Sequence, residues 1–167
     1  DINWPGTIKD VVVYLVDHGA PGRFRLNESE ILEDEELAAW LDTIQSKISG
    51  TLTVIYDACE SGTFVSQLAN PTYSGKRICI SSTSDGEQAY FVENGQLSFS
   101  SQFWLRVMNG NTVGSSFASA HDAMAWANQH PVLDDDSDGT GDAPANRPLA
   151  DATYIGAGNP GSLVGPT

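Results

Sequence analysis

The chain has 167 residues, 40% of them hydrophobic, which is enough for one domain with a sizeable core and too apolar for disorder. Eight Lys and Arg against 22 Asp and Glu leave a formal charge of −14, a field that repels nucleic acid and anionic membrane surfaces. No apolar run approaches the roughly 20 residues that cross a bilayer. The acidic balance suits an extracytoplasmic or secreted protein, and any targeting segment ahead of Asp1 is expected to have been either removed or left out of this sequence.

In chain order, residues 11–17 form a near-continuous apolar run and predict a strand covered on both faces. Residues 18–27 hold Gly19, Pro21 and Gly22 and predict a loop, followed by a short extended piece at 30–32. Residues 35–48 predict an amphipathic helix with Leu37, Trp40, Leu41, Ile44 and Ile48 on one stripe, Asp34 as N-cap and Gly50 past its end. Residues 51–56 predict a second strand. A helix opens over 63–68, after a turn at Ser61-Gly62 in which Glu60 and Ser61 read as surface turn-formers. Residues 77–82 predict a third strand that holds Cys79 as a buried, inert thiol. After a polar loop at 83–87, residues 98–108 and the Ala-rich 113–129 predict two helices, with His121 and His130 on the surface of the second. From Pro131 onward the chain is rich in Asp, Gly and Pro, and 150–167 read as a tail. Strands alternating with helices predict one α/β domain over 1–167 with a largely parallel sheet.

Two strand ends carry the chemistry. The run Leu52-Thr53-Val54-Ile55-Tyr56 leads into Asp57-Ala58-Cys59-Glu60-Ser61-Gly62, and the earlier run leads into Asp17-His18-Gly19. In an open parallel sheet, reacting groups collect at the C-terminal strand edge. A thiol and an imidazole delivered there are the minimum for nucleophilic cysteine catalysis. By position alone Cys59 is a nucleophile at a strand-to-helix turn or a core thiol, and His18 is an acid–base or a loop histidine with a structural bond.

A second signal is the acidic stretch within 131–145. Asp134, Asp136 and Asp138 alternate ahead of Gly139, with Thr140 and Asp142 beyond, like the start of an EF-hand calcium loop; Ala145 stands where that loop would place Glu. It reads either as a structural Ca²⁺ site or as a solvated acidic turn.

The segment Tyr14-Leu15-Val16-Asp17-His18-Gly19-Ala20-Pro21-Gly22, taken with Asp57-Ala58-Cys59-Glu60-Ser61-Gly62, resembles the legumain family of caspase-like cysteine peptidases. Ser81-Ser82-Thr83 and the acidic loop resemble its prokaryotic members, and the likeness covers roughly residues 9–141. The resemblance implies a caspase-like three-layer α/β/α fold, whose N-terminal strands are missing from this chain. It implies a cysteine endopeptidase that needs no catalytic cofactor and matures by self-cleavage. Cys59 would be the nucleophile, His18 the acid–base partner, and the N–H groups of Gly19 and Cys59 the oxyanion hole. Asp57, Ser82, Gln88 and Tyr90 would contact substrate. With a basic partner, Asp57 implies a preference for Asn or Asp before the scissile bond; without one, for Arg or Lys. The partners implied are a peptide or protein substrate and a separate N-terminal fragment of the same precursor. The alternatives are a non-catalytic binding module of the same fold and a peptide transpeptidase or ligase on the same pair.

Overall fold

A computed structural model describes residues 8–142 and 146–156. The chain opens with β1 (Val11–Val16), β2 (Gly19–Ala20), β3 (Arg23–Arg25), β4 (Ile31–Glu33) and α1 (Asp34–Gln45). Next come β5 (Leu52–Asp57), a 3-10 turn (Ser61–Phe64), α2 (Val65–Leu68) and β6 (Arg77–Ser81). The last part holds α3 (Phe99–Met108), α4 (Val113–Met124), β7 (Val132–Asp134) and α5 (Pro148–Ala152). The main sheet has the order β1-β5-β6-β7, parallel except for β7.

β5 explains the layering. All six of its residues are buried, as a central strand with helices on both faces requires. Leu52, Val54 and Tyr56 face one core with Leu37 and Leu41 of α1 and Leu68 of α2. Ile55 faces the other, with Ile78 and Ile80 of β6, Phe99 and Phe103 of α3, and Val113, Phe117, Ala120 and Met124 of α4. The side chains alternate because a strand has a period of two. Arg77, wholly buried at the start of β6, ties one layer together: it donates to the Leu68 carbonyl at 2.9 Å and to Asp42 of α1 at 2.7 Å.

The structure departs from the sequence expectations at five places. β1 is covered more on one face than the other: Val11, Val13 and Leu15 pack on the core, while on the other face of this edge strand Val12, Tyr14 and Val16 stay 39%, 39% and 43% exposed, with Tyr14 edge-on against Trp104 of α3. Residues 18–27 are not simply a loop. Gly19 and Ala20 pair with Phe24 and Arg23 across Pro21-Gly22, and Gly22, at φ +67°, fits the turn that Pro then Gly favours. Together β2, β3 and β4 make a small antiparallel sheet. Asp34 is the first residue of α1 rather than its cap, and Trp40 is largely exposed, while Leu37 and Leu41 are buried and Ile44 and Ile48 pack partly buried against the same core. The helix expected over 113–129 ends at Met124, one 3-10 turn follows, and Asn128 adopts a left-handed conformation that ends it. The stretch after Pro131 contributes β7, which pairs antiparallel with β6, and α5 is a short helix in the expected tail. Residues 157–167 of that tail lie outside the described residues.

Candidate active site

Parallel pairing sets the site. Val16 of β1 stands opposite Asp57 of β5, so His18 and Cys59 each lie two residues past the last paired position, on adjacent strand ends. Neighbouring strands are about 4.8 Å apart. Gly19 closes the remaining gap. A Cβ there would stand 2.2 Å from the Cys59 carbonyl oxygen and 2.9 Å from both the Ala58 Cβ and the Tyr56 hydroxyl. Only hydrogen fits, so the backbone after His18 lies directly against the backbone of Cys59. A cleft of about 450 Å³ opens at this point, lined by Val16, Asp17, His18, Cys59, Gln88, Ala89 and Phe91. A larger hollow of about 590 Å³, lined by residues 9–12, 51, 53 and 152–156, has neither cysteine nor histidine in its walls.

Cys59 is partly accessible and free of disulfide. The next residue, Glu60, holds φ +60°, a left-handed conformation that non-glycine residues rarely adopt. Such strain persists only where surrounding bonds impose it. Here the Glu60 N–H donates to the Glu87 carbonyl at 2.8 Å, and the Glu60 carboxylate accepts from the Gly86 N–H at 2.7 Å. Beneath the turn, Ser61 is fully buried, contrary to its expected surface position; its Oγ accepts from the Thr83 N–H at 3.1 Å and bonds the Thr83 hydroxyl at 3.0 Å. Ser82, also buried, reaches the Ala58 carbonyl at 3.5 Å. Ser82 thus sits under the turn after Cys59 rather than in the cleft wall.

Asp57 lies deeper still, 1% exposed. Its Oδ2 accepts from the Ser100 N–H at 3.0 Å and the Ser100 hydroxyl at 2.5 Å, both at the N-terminal turn of α3, where a helix favours negative charge. Its Oδ1 has no hydrogen-bond partner among the described residues. Burial pushes this carboxyl up, and the bonds from Ser100, with the nearby Ser82 hydroxyl, offset only part of that. Ser100 was not singled out from the sequence. The signal was Ser98, whose side chain caps α3 in a reciprocal pair with Ser101 and so aims the first-turn N–H groups at the β5 end.

Gln88 lines the cleft, whereas Tyr90 turns its ring toward Trp126, with centroids 6.5 Å apart. His130 is not on a helix. It precedes β7, and its Nδ1 lies 2.5 Å from the Glu87 carboxylate. Burial pushes the Glu87 carboxyl up, but the bonds from His130 and Ser84 outweigh it and hold the group below the usual carboxylate range. His121 is exposed and far along α4. Cys79 is buried in β6, with its thiol pushed up to about 12 chiefly by burial.

The acidic loop forms a separate feature. Oxygens of Asp134, Asp136 and Asp138 all lie within 4.8 Å of one another, a spacing that one divalent cation can bridge. Asp134 is buried and accepts from the N–H groups of Ser137 and Gly139, which burial outweighs in pushing its carboxyl up. Asp138 accepts from the Thr140 N–H, and Asp142 accepts from the Asp135 N–H. Burial, with the charges of Asp135, Asp136 and Asp134, pushes the Asp142 carboxyl up to about 6. Ala145 lies outside the described residues.

Residues 6–125 match the family model of the peptidase C13 family, well over half of the 167-residue chain. No curated protein matches the chain.

The close approach at Gly19 makes a direct prediction. Gly19→Ala places a methyl 2.2 Å from the Cys59 carbonyl and must push the two strand ends apart. A displacement of about 1 Å costs about 100-fold in turnover. Any turnover that uses Cys59 with His18 falls by about that factor, measured against a circular-dichroism spectrum that stays native.

Proposed function

We propose, from the premise that this chain belongs to the peptidase C13 family, that Cys59 and His18 are the working pair of a cysteine endopeptidase. The family assignment gives a cysteine peptidase, with protein or peptide substrates and no cofactor needed for catalysis. The observation that carries the residue-level reading is the shared cleft: both side chains line it, on adjacent strand ends, with Gly19 packed against Cys59.

The chemistry follows from that placement. The Cys59 thiolate attacks the scissile carbonyl carbon, and the N–H groups of Gly19 and Cys59 donate to the developing oxyanion. His18 gives a proton to the leaving amine, then takes one from the water that attacks the acyl-enzyme. An amine in place of water would make the same intermediate a transpeptidase. Self-cleavage of the precursor uses the same steps. The exposed Val12, Tyr14 and Val16 face on edge strand β1 suits packing by a further fragment of that precursor.

Asp57 is the specificity group of this reading. Asp57 is not among the residues that line the cleft, and its Oδ1 is buried without a partner among the described residues; in this reading a donor at the end of a long substrate side chain completes it. Among the described residues no Lys or Arg pairs with it, which favours Arg or Lys at that position over Asn or Asp. Gln88 forms part of the wall along which the substrate lies, and Ser82 and Tyr90 support that wall from behind.

A positional-scanning peptide library tests both levels. Cleavage after Arg or Lys, lost in Cys59→Ala, is expected. Asp57→Asn is expected to lose the preference by at least about tenfold while the melting temperature at pH 7 holds or rises. The sign follows from the upward shift: a carboxyl raised by folding contributes its full stabilisation below the ordinary carboxylate range and loses it as pH rises through the raised value. Cleavage after Asn in the isolated chain would reverse the preference; cleavage that survives Cys59→Ala would remove the function.

The same proposal assigns a structural Ca²⁺ to Asp134, Asp136 and Asp138, whose oxygens cluster, and takes Thr140 and Asp142, outside that cluster, as further ligands. Binding at about 100 times Kd stabilises a fold by about 2.7 kcal/mol. Calorimetric titration after chelation is expected to show heat that Asp136→Asn with Asp138→Asn abolishes. No heat on adding Ca²⁺ to the wild type would leave a solvated turn.

A further inference from the structure

The cleft wall does not support itself. Residues 82–91 leave the end of β6 as irregular backbone, and the part that faces Cys59 is Gln88, Ala89 and Phe91. Irregular backbone holds a fixed position only when its polar groups find partners. Ser82 and Thr83 are tied to Tyr56, Ala58 and Ser61; among the described residues, the partners that residues 84–91 find outside the loop come from two places.

One is Glu60, next to the nucleophile, which bonds Gly86 and Glu87 as described above. The other is the dipeptide Gln129-His130, on the far side of the wall from Cys59 in the chain. The Gln129 side chain is 1% exposed and uses both ends of its amide: Nε2 donates to the Ser82 carbonyl at 2.7 Å, and Oε1 accepts from the Tyr90 N–H at 3.0 Å. Those are the two ends of the wall loop. His130 holds the middle. Its N–H donates to Glu87 Oε2 at 2.8 Å, its Nδ1 pairs with Glu87 Oε1 at 2.5 Å, and its carbonyl accepts from the Ser84 hydroxyl at 2.8 Å. Asn128, left-handed at φ +54°, turns the chain so that the next two residues meet the loop, and β7 then fixes them to the sheet through β6.

We infer that Gln129 and His130 are positioning residues that set the height of the Gln88–Phe91 wall over Cys59, and so set how tightly a peptide is held before it is cut. The inference rests on the peptidase reading above. Neither residue lines the cleft, so both act through the loop. Glu87 is the shared link: its carbonyl meets the residue after the nucleophile and its carboxylate meets His130. A substrate that presses on the wall therefore presses on a loop bonded on both sides.

Four variants test this on the full chain: Gln129→Ala, Gln129→Glu, His130→Ala and His130→Gln. Gln129→Ala and His130→Ala are expected to raise KM for a peptide substrate about tenfold with kcat within about twofold, the pattern of lost binding shared by ground and transition states. His130→Gln restores a side-chain donor and recovers most of the loss. Gln129→Glu keeps an acceptor for Tyr90 but sets a buried carboxylate oxygen against the Ser82 carbonyl, so it loses at least as much as Gln129→Ala. Alkylation of Cys59 by iodoacetamide, too small to need the wall, keeps its wild-type rate. Hydrogen exchange reads the brace separately from catalysis: amides in 84–91 exchange at least about tenfold faster in the two alanine variants, while β5 and β6 keep their protection. If the wild type cleaves no peptide, the peptidase reading fails and this exchange pattern still decides the brace. Unchanged exchange in 84–91, equal loosening of β5 and β6, or a fall in kcat at constant KM would overturn it. His130 is exposed, so its variants report even if those at buried Gln129 do not fold.

Discussion

Register between two parallel strands is the constraint on which this structure turns. With Val16 opposite Asp57, two short continuations past the sheet edge deliver an imidazole and a thiol to one cleft. A slip of one residue would turn each side chain to the opposite face of its strand. The register is held by burial, since β5 is enclosed on both faces and pairs on both edges. It is also held by contact, since the Cys59 carbonyl leaves room for no side chain at Gly19. The helices, the second core and the small sheet of β2, β3 and β4 keep that arrangement in place.

A second layer of polar bonding holds the turn after Cys59. Ser61, Ser82 and Thr83 are all buried and bond one another or the Ala58 carbonyl, and Glu60 is held left-handed by bonds to Gly86 and Glu87. Buried hydroxyls without partners would cost about 1–3 kcal/mol each, so a set that satisfies itself specifies one arrangement. Asp57 stands out against this background. One of its oxygens is fully used by Ser100, the other is buried without a partner among the described residues, and burial raises the carboxyl.

The parts legible in the sequence are those that depend on local pattern. Continuous apolar runs marked β1, β5 and β6, the 3.6-residue period marked α1, and the two strand-end motifs marked Cys59 and His18. The family and the mixed α/β fold with a mostly parallel sheet followed from the same residues. What was not legible depends on pairing across the chain. β7 is three residues beside Pro131 and a run of aspartates, and only its bonds to β6 make it a strand. The hairpin of β2 and β3 sits on residues that read as breakers, because Pro21 and Gly22 are its turn. Ser100, Gln129 and His130 carry no motif; their roles arise from partners 43, 47 and 43 residues away, at Asp57, Ser82 and Glu87. The uneven cover of β1 was missed because an apolar run shows hydrophobicity, not what packs against it.

The central claim is that Cys59 is a nucleophile activated by His18. The most direct measurement is labelling by a peptidyl acyloxymethyl ketone under reducing conditions, with the adduct located by mass spectrometry. Cys79 is a control built into the same chain, buried and with its thiol pushed up to about 12. The account predicts one adduct, on Cys59, whose rate falls at least about a hundredfold in a folded His18→Ala variant. An adduct on Cys79, no adduct at all, or labelling of Cys59 at an unchanged rate without His18 would contradict it.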